Sequence, residues 1–361
     1  TGGRSATGSV GVFLALTALA WSLFQLWIAS PLPFVFGWGV FNDTEARSIH
    51  LAFAIFLGIA AFPAARTKVQ LGLGIIVPVV LAYLFLVAIV IVACVVLGSP
   101  KDRIPLWEWA LALVGAAAAL YLFVYYREIS GRVGAPNMQD TVVFVIGIMI
   151  LLEATRRALG PALMIVASVF LVYNVLGPMM PDIIAHKGNS LSEIVNHQWI
   201  TTEGVFGIAL GVSTSFVFLF VLFGALLDKA GAGNYFIQVA FSMMGHMKGG
   251  PAKAAVVSSA MTGLISGSSI ANVVTTGTFT IPLMKKVGFS SEKAGAVEVA
   301  SSVNGQIMPP VMGAAAFLMV EYVGIPYFDV VKHAFLPAVI SYIALVYIVH
   351  LEALKAGMVG L

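Results

Sequence analysis

The stretch Gly263-Leu264-Ile265-Ser266-Gly267-Ser268-Ser269-Ile270-Ala271-Asn272-Val273-Val274-Thr275-Thr276-Gly277 places helix-breaking and hydroxyl-bearing residues between two apolar runs, 252–265 and 271–284. A helix broken there leaves carbonyls without donors at the end of its first half and N–H groups without acceptors at the start of its second. Those carbonyls, with Ser and Asn side-chain oxygens, can replace the water shell of Na⁺. The N–H end carries the positive end of the helix dipole and suits a carboxylate. Gly267 permits a tight turn, and Ser266, Ser268, Ser269 and Asn272 can cap or coordinate. A lone Ser or Gly in such a run would only allow close helix packing. The clustering of several, flanked by Lys253 on one side and Lys285 and Lys286 on the other, points to a site.

A second break follows at Ser301-Ser302-Val303-Asn304-Gly305-Gln306-Ile307-Met308-Pro309-Pro310. Two consecutive prolines remove two backbone donors and disrupt the preceding turn, so no continuous helix is expected through 294–324. An unwound Asn304–Gly305–Gln306 segment would expose carbonyls and two amide side chains to a cavity.

The elements that hold these breaks follow from composition. Hydrophobic residues make up 60% of the chain and charged ones 10%, with a mean hydropathy of +1.00. A soluble domain needs roughly a quarter of its residues charged, so most of this surface must face lipid. Crossing about 30 Å of hydrocarbon takes roughly 20 helical residues, whereas barrel strands would be about 10 residues of alternating pattern. The long unalternating runs at 10–29 and 71–97 are therefore helical, and the predicted class is an all-α, polytopic integral membrane bundle. Further spans are predicted at 50–65, 105–125, 141–153 with some extension, 162–179, 204–227, 235–247 and 333–352.

A polar, Gly- and Pro-rich linker at 131–137 divides a scaffold region, 1–135, from a region dense in Gly, Ser, Thr and Asn, 136–361. Orientation comes from the Lys/Arg bias. With a cytoplasmic N-terminus, twelve of the 19 Lys and Arg lie on the cytoplasmic side and seven outside. Each arm of 252–284 is only about 14 residues, or roughly 21 Å, which favours a hairpin that enters and leaves on one side.

The remaining polar residues carry less. Cys94, the single cysteine, lies in an apolar run and reads as packing. Glu153, Arg156 and Arg157 form an interfacial ion-pair cluster at one span end. Glu321 lies deeper, near the outer end of the broken helix, where a charge is a functional candidate. The six histidines are scattered without ligand spacing, and no basic stripe with interleaved aromatics suggests nucleic acid. Two rival readings are a proton-coupled carrier of another family and a serine intramembrane protease, with Ser268 as nucleophile and His246 or His333 as base. The protease reading leaves 304–310 unexplained.

The residues Ser266–Asn272, the following Thr275-Thr276-Gly277-Thr278-Phe279-Thr280-Ile281-Pro282-Leu283-Met284-Lys285-Lys286, and the run from Asn304 to Phe317 resemble the large membrane subunit of tripartite ATP-independent periplasmic (TRAP) transporters. The form resembled is the fused permease, in which a small four-helix subunit precedes the large one. The resemblance implies an elevator-type transporter of two inverted halves, each with a re-entrant hairpin and a broken helix. This chain shows one of each; with Thr1 at its start and Leu361 directly after an apolar run, the C-terminal half of the permease is expected to be missing. The resemblance further implies uptake of carboxylate solutes across the bacterial inner membrane, driven by Na⁺, with no cofactor. Solute would be delivered by a periplasmic solute-binding protein. It places Na⁺ on Ser266, Gly267, Ser268, Ser269, Asn272, Asn304 and Gly305, and solute on Ser268, Ser269, Asn304 and Gln306.

Overall fold

The computed structural model describes residues 3, 4, 6, 8–63 and 104–358. The span expected at 71–97, with Cys94, lies outside the described residues. Every regular element among the described residues is helical, and the chain forms two compact units, Thr1–Thr214 and Ser215–Leu361. Five described helices are long and apolar enough to cross a membrane: Gly8–Ala29, Leu106–Val124, Pro161–Met179, Ile208–Leu227 and Tyr327–Lys355.

The first unit contains α1 (Gly8–Ala29), α2 (Asp43–Ala60), α3 (Leu106–Val124), α4 (Met138–Leu159) and α5 (Pro161–Leu176). The apolar run predicts a span from His50, but α2 begins seven residues earlier because Asn42 and Glu45 close a reciprocal capping box, each bond 2.9 Å. Asn137 and Asp140 do the same for α4, at 2.8 Å each. Asp140 also accepts from Tyr121 at 2.7 Å and pairs with Arg132, which ties down the Gly-rich turn at 131–134. Gly160, at φ +91°, and Pro161 at the first turn of α5 separate α4 from α5. In the polar stretch beyond α5, Glu193 accepts from the Ser190 N–H and hydroxyl, and these bonds hold its carboxyl below the usual range.

The core of this unit is Ile55, Ile59, Leu122, Phe144, Trp199 and Phe206. It includes a charge cluster that is buried, not interfacial as the sequence suggested. Glu153 accepts from Arg156 and Arg157 at 2.7 Å each, and Arg157 reaches Glu108 at 2.8 Å, with Arg4 on the other oxygen of Glu108. Glu108 and the side chain of Arg157 are wholly inaccessible. The cluster sets two carboxylates against three guanidinium groups, so removing Glu108 leaves Glu153 alone against all three, and breaking a buried pair in this way costs about 3–5 kcal/mol. Glu108→Gln is therefore expected to lower the melting temperature in detergent sharply, and an unchanged melting curve would show that the cluster does not stabilise this unit.

The second unit contains α6 (Phe218–Lys229), α7 (Ala232–Met244), α8 (Gly250–Ser266), α9 (Ser269–Lys286), α10 (Ser291–Asn304), a 3₁₀ turn (Gly305–Ile307), α11 (Ala314–Val323) and α12 (Tyr327–Lys355). Helix α8 is central, packed by α7, α9, α10 and α12. It can be so because Ala252, Ala254 and Ala255 present no bulk and are fully buried. At the start of α8, Ala252 and Ala255 cluster with Met284 and Phe289, so Lys253 and the Lys285–Lys286 pair sit at one end of the α8–α9 hairpin.

The arms are longer than expected, 17 and 18 residues, or about 26 and 27 Å. Helix α8 starts on Gly250 and Pro251, and α9 runs through Lys285 and Lys286, all of which the apolar-run criterion had excluded. Glu321 lies on α11 with its side chain at the protein surface.

Candidate functional site

Both helix breaks belong to the second unit, and they touch. Only Gly267 and Ser268 separate α8 from α9. Gly267 sits at φ +58°, in the left-handed region that ends helices, its N–H donating to Gly263 O at 3.4 Å. A Cβ there would lie 1.9 Å from the carbonyl oxygen of Met312. Met312, in the unwound stretch after the prolines, is itself at φ +51° and buried. A second close approach lies one turn back, where a Cβ on Gly263 would be 2.8 Å from Gly305 Cα. Each break is thus shaped to accept the other.

The polar side chains divide between the tip and the interior. Ser268 caps α9, its hydroxyl accepting the Ala271 N–H at 3.3 Å, and it is exposed. The Ser266 hydroxyl accepts the Ser268 N–H at 3.4 Å. Gln306 donates to the Ser269 hydroxyl at 2.7 Å, bridging the broken helix to the hairpin tip, while its carbonyl accepts the Gly313 N–H at 2.7 Å. Asn272 is 1% exposed. Its amide donates to the carbonyl and hydroxyl of Ser259 at 2.9 and 3.0 Å, while its Oδ1 has no protein partner. The same amide would be 3.0 Å from a Cβ on Gly305, so Asn272 lies directly over the unwound turn. Asn304 points elsewhere: it donates to Ser341 of α12 at 2.6 Å, beside an open pocket lined by Ala300, Val303 and Ala344.

The unwound segment is pinned from α12. The Tyr327 hydroxyl donates to the carbonyls of Pro310 and Val311 at 2.6 and 2.9 Å, and its ring stacks on Phe317 at 4.9 Å. Tyr342 donates to Ser301 O at 2.9 Å. No histidine hydrogen-bonds to Ser268 among the described residues; its hydroxyl serves the α9 N-terminus instead.

One functional candidate escaped the sequence reading. Glu298 on α10 is fully buried and accepts from the hydroxyls of Thr276, Thr280 and Ser302. The signal available in the sequence is that Glu298 is the single charged residue of the run 294–304.

These elements define an all-α, multi-pass membrane protein with a helical hairpin seated against a broken helix. The chain matches the family described as "Tripartite ATP-independent periplasmic transporter, DctM component" over residues 146–360, more than half its length. It belongs to that family, which is one of transporters and not of enzymes, and it resides in the bacterial inner membrane. It is 35% identical over 91 residues to the C4-dicarboxylate TRAP transporter large permease protein DctM of Rhodobacter capsulatus, covering 25% of this chain and 21% of that one. It is 30% identical over 155 residues to the protein of the same name from Vibrio cholerae, covering 41% and 34%. The ectoine TRAP transporter large permease protein TeaC of Halomonas elongata is 32% identical over 95 residues, covering 26% and 22%. The matched stretches span 21–34% of the length of these curated relatives.

Proposed function

We propose that the chain is the membrane permease component of a secondary transporter that takes up organic acids, carboxylate solutes, using a Na⁺ gradient. A periplasmic binding protein delivers the solute, and residues 1–135 serve as the small-subunit-like scaffold. The observation that carries this reading is the seating of the hairpin tip on the broken helix. It gathers the α8 C-terminal carbonyls, the free Oδ1 of Asn272 and the unwound turn at Gly305 at one place. Na⁺ is a hard cation that such oxygens suit, and the α9 N-terminus beside Ser268 and Ser269 offers N–H groups to a carboxylate.

The names of two relatives, which specify C4-dicarboxylate, support a carboxylate solute; a third names ectoine, so the particular solute is not carried over. The hairpin is re-entrant on this reading. With arms of 17 and 18 residues, length does not decide it. Its support is the polar tip, together with Asn272, Thr276 and Thr280 buried along α9, which do not suit a lipid-facing span.

The test is uptake by the full-length protein in proteoliposomes with its binding protein, measured against external Na⁺. Wild-type uptake is expected to rise with Na⁺. Ser268→Ala, which removes an N-cap worth about 1 kcal/mol, is expected to lower uptake several-fold while expression holds. Uptake indifferent to Na⁺ in wild type and variant alike would overturn the assignment.

A further inference from the structure

Glu298 carries no positive partner. Its oxygens accept from Thr276, from Thr280 at 2.5 Å and from Ser302 at 3.3 Å, and among the described residues no Lys, Arg or His pairs with it. A buried carboxylate held by neutral donors alone leaves its charge uncompensated in a medium of low dielectric, at a cost of several kcal/mol.

The hydroxyls around it are not committed to one arrangement. Thr276 Oγ1 lies 2.8 Å from the carbonyl of Asn272, Thr280 Oγ1 lies 3.0 Å from the carbonyl of Thr276, and Ser302 Oγ lies 3.3 Å from Ser259 Oγ. A hydroxyl has one hydrogen and two lone pairs. With Glu298 ionised, all three hydroxyls aim their hydrogens at it. With Glu298 protonated, its own O–H donates to one Thr hydroxyl, which turns its hydrogen to the carbonyl four residues back. Both arrangements leave every buried hydrogen matched, as burial demands. A side chain kept only for packing needs one of them; here both are built.

We propose that Glu298 is a proton-binding site of the second unit, neutral when occupied. The proton comes from water and returns to it, so an O–H bond formed on the carboxylate is matched by one broken on a hydronium ion. Ser302, Ser259 and Asn272 join the site to the hairpin tip by contacts of 3.3, 3.3 and 3.0 Å. The titratable groups on elements packed against α10 are otherwise engaged or placed apart. Tyr342 of α12 donates to Ser301 O, and Glu352 of α12 pairs with Lys293. Lys253 of α8 and His350 of α12 line a pocket of about 610 Å³ with Met244, Met247 and Tyr342. Lys285 and Lys286 stand at the far end of α9. This site does not depend on which ion or solute the tip holds.

The test is infrared difference spectroscopy of the full-length protein in lipid nanodiscs, titrated from acid to alkaline pH. A protonated-carboxyl carbonyl band that disappears as pH rises is expected in wild type and is expected to be missing in Glu298→Gln. In Thr280→Val, which keeps the carboxylate and removes one hydrogen-bond partner, the band is expected at higher wavenumber. Because that variant reads the same band, a misfolded Glu298→Gln does not leave the question open. Spectra identical in wild type and Glu298→Gln at every pH, or a band unmoved in Thr280→Val, would overturn the proposal. Neither readout involves Na⁺ or solute, so its failure is separate from failure of the transport reading.

Discussion

Gly267→Ala is expected to abolish uptake and to lower thermal stability by on the order of 3 kcal/mol, a size reserved for clashes and backbone strain in packed regions. A left-handed backbone costs a non-glycine residue roughly 1–2 kcal/mol. The remainder comes from the methyl group, which would sit 1.9 Å from the Met312 carbonyl oxygen, backbone that has no rotamer to move aside. The contrasting variant is Gly295→Ala. Gly295 is inside α10, and a Cβ there meets nothing within 4 Å. Replacing a helical glycine of that kind by alanine adds up to about 1 kcal/mol of stability. Melting curves of the two variants in detergent decide the matter; a Gly267→Ala curve that overlays wild type would show that tip and broken helix are not in contact in the working protein.

Asn272→Ala carries the second large effect. The substitution removes the amide that holds Ser259 through two bonds and deletes the buried Oδ1 that faces no protein donor. If that oxygen serves Na⁺, the Na⁺ concentration for half-maximal uptake should rise at least tenfold, equivalent to about 1.4 kcal/mol. The measurement is a Na⁺ titration of uptake at fixed solute. A wild-type titration curve in Asn272→Ala would remove Asn272 from the ion site while leaving the hairpin as a structural element.

The helices were legible because unalternating apolar runs of this length admit little else, and both breaks were legible because Gly267, Asn304 and the Pro309–Pro310 pair are poor helix residues wherever they stand. Helix ends were less so. Asn42 and Asn137 begin helices through side chains that bond three residues ahead, a signal independent of hydropathy, and Lys285 and Lys286 continue one because lysine is a good helix former. Glu298 was harder to see. Its partners Thr276 and Thr280 lie 22 and 18 positions away on another helix, and only the packing of α9 on α10 brings them together. Glu108 is the same case in the first unit: its arginines come from Arg4 and Arg157, far apart in the chain. Hydropathy marks where a helix lies in a membrane; it says little about which acid on it finds donors.

The contacts of Gly263 with Gly305 and of Gly267 with Met312 have a mechanical meaning as well. Main chain rests on main chain at both, with no flexible side chain between to act as a cushion. A displacement of the hairpin tip toward the broken helix therefore has to be met by backbone movement, because no side-chain rotamer there can make room. On the transport reading, a solute held at the tip is expected to move together with both elements, as cargo on one platform.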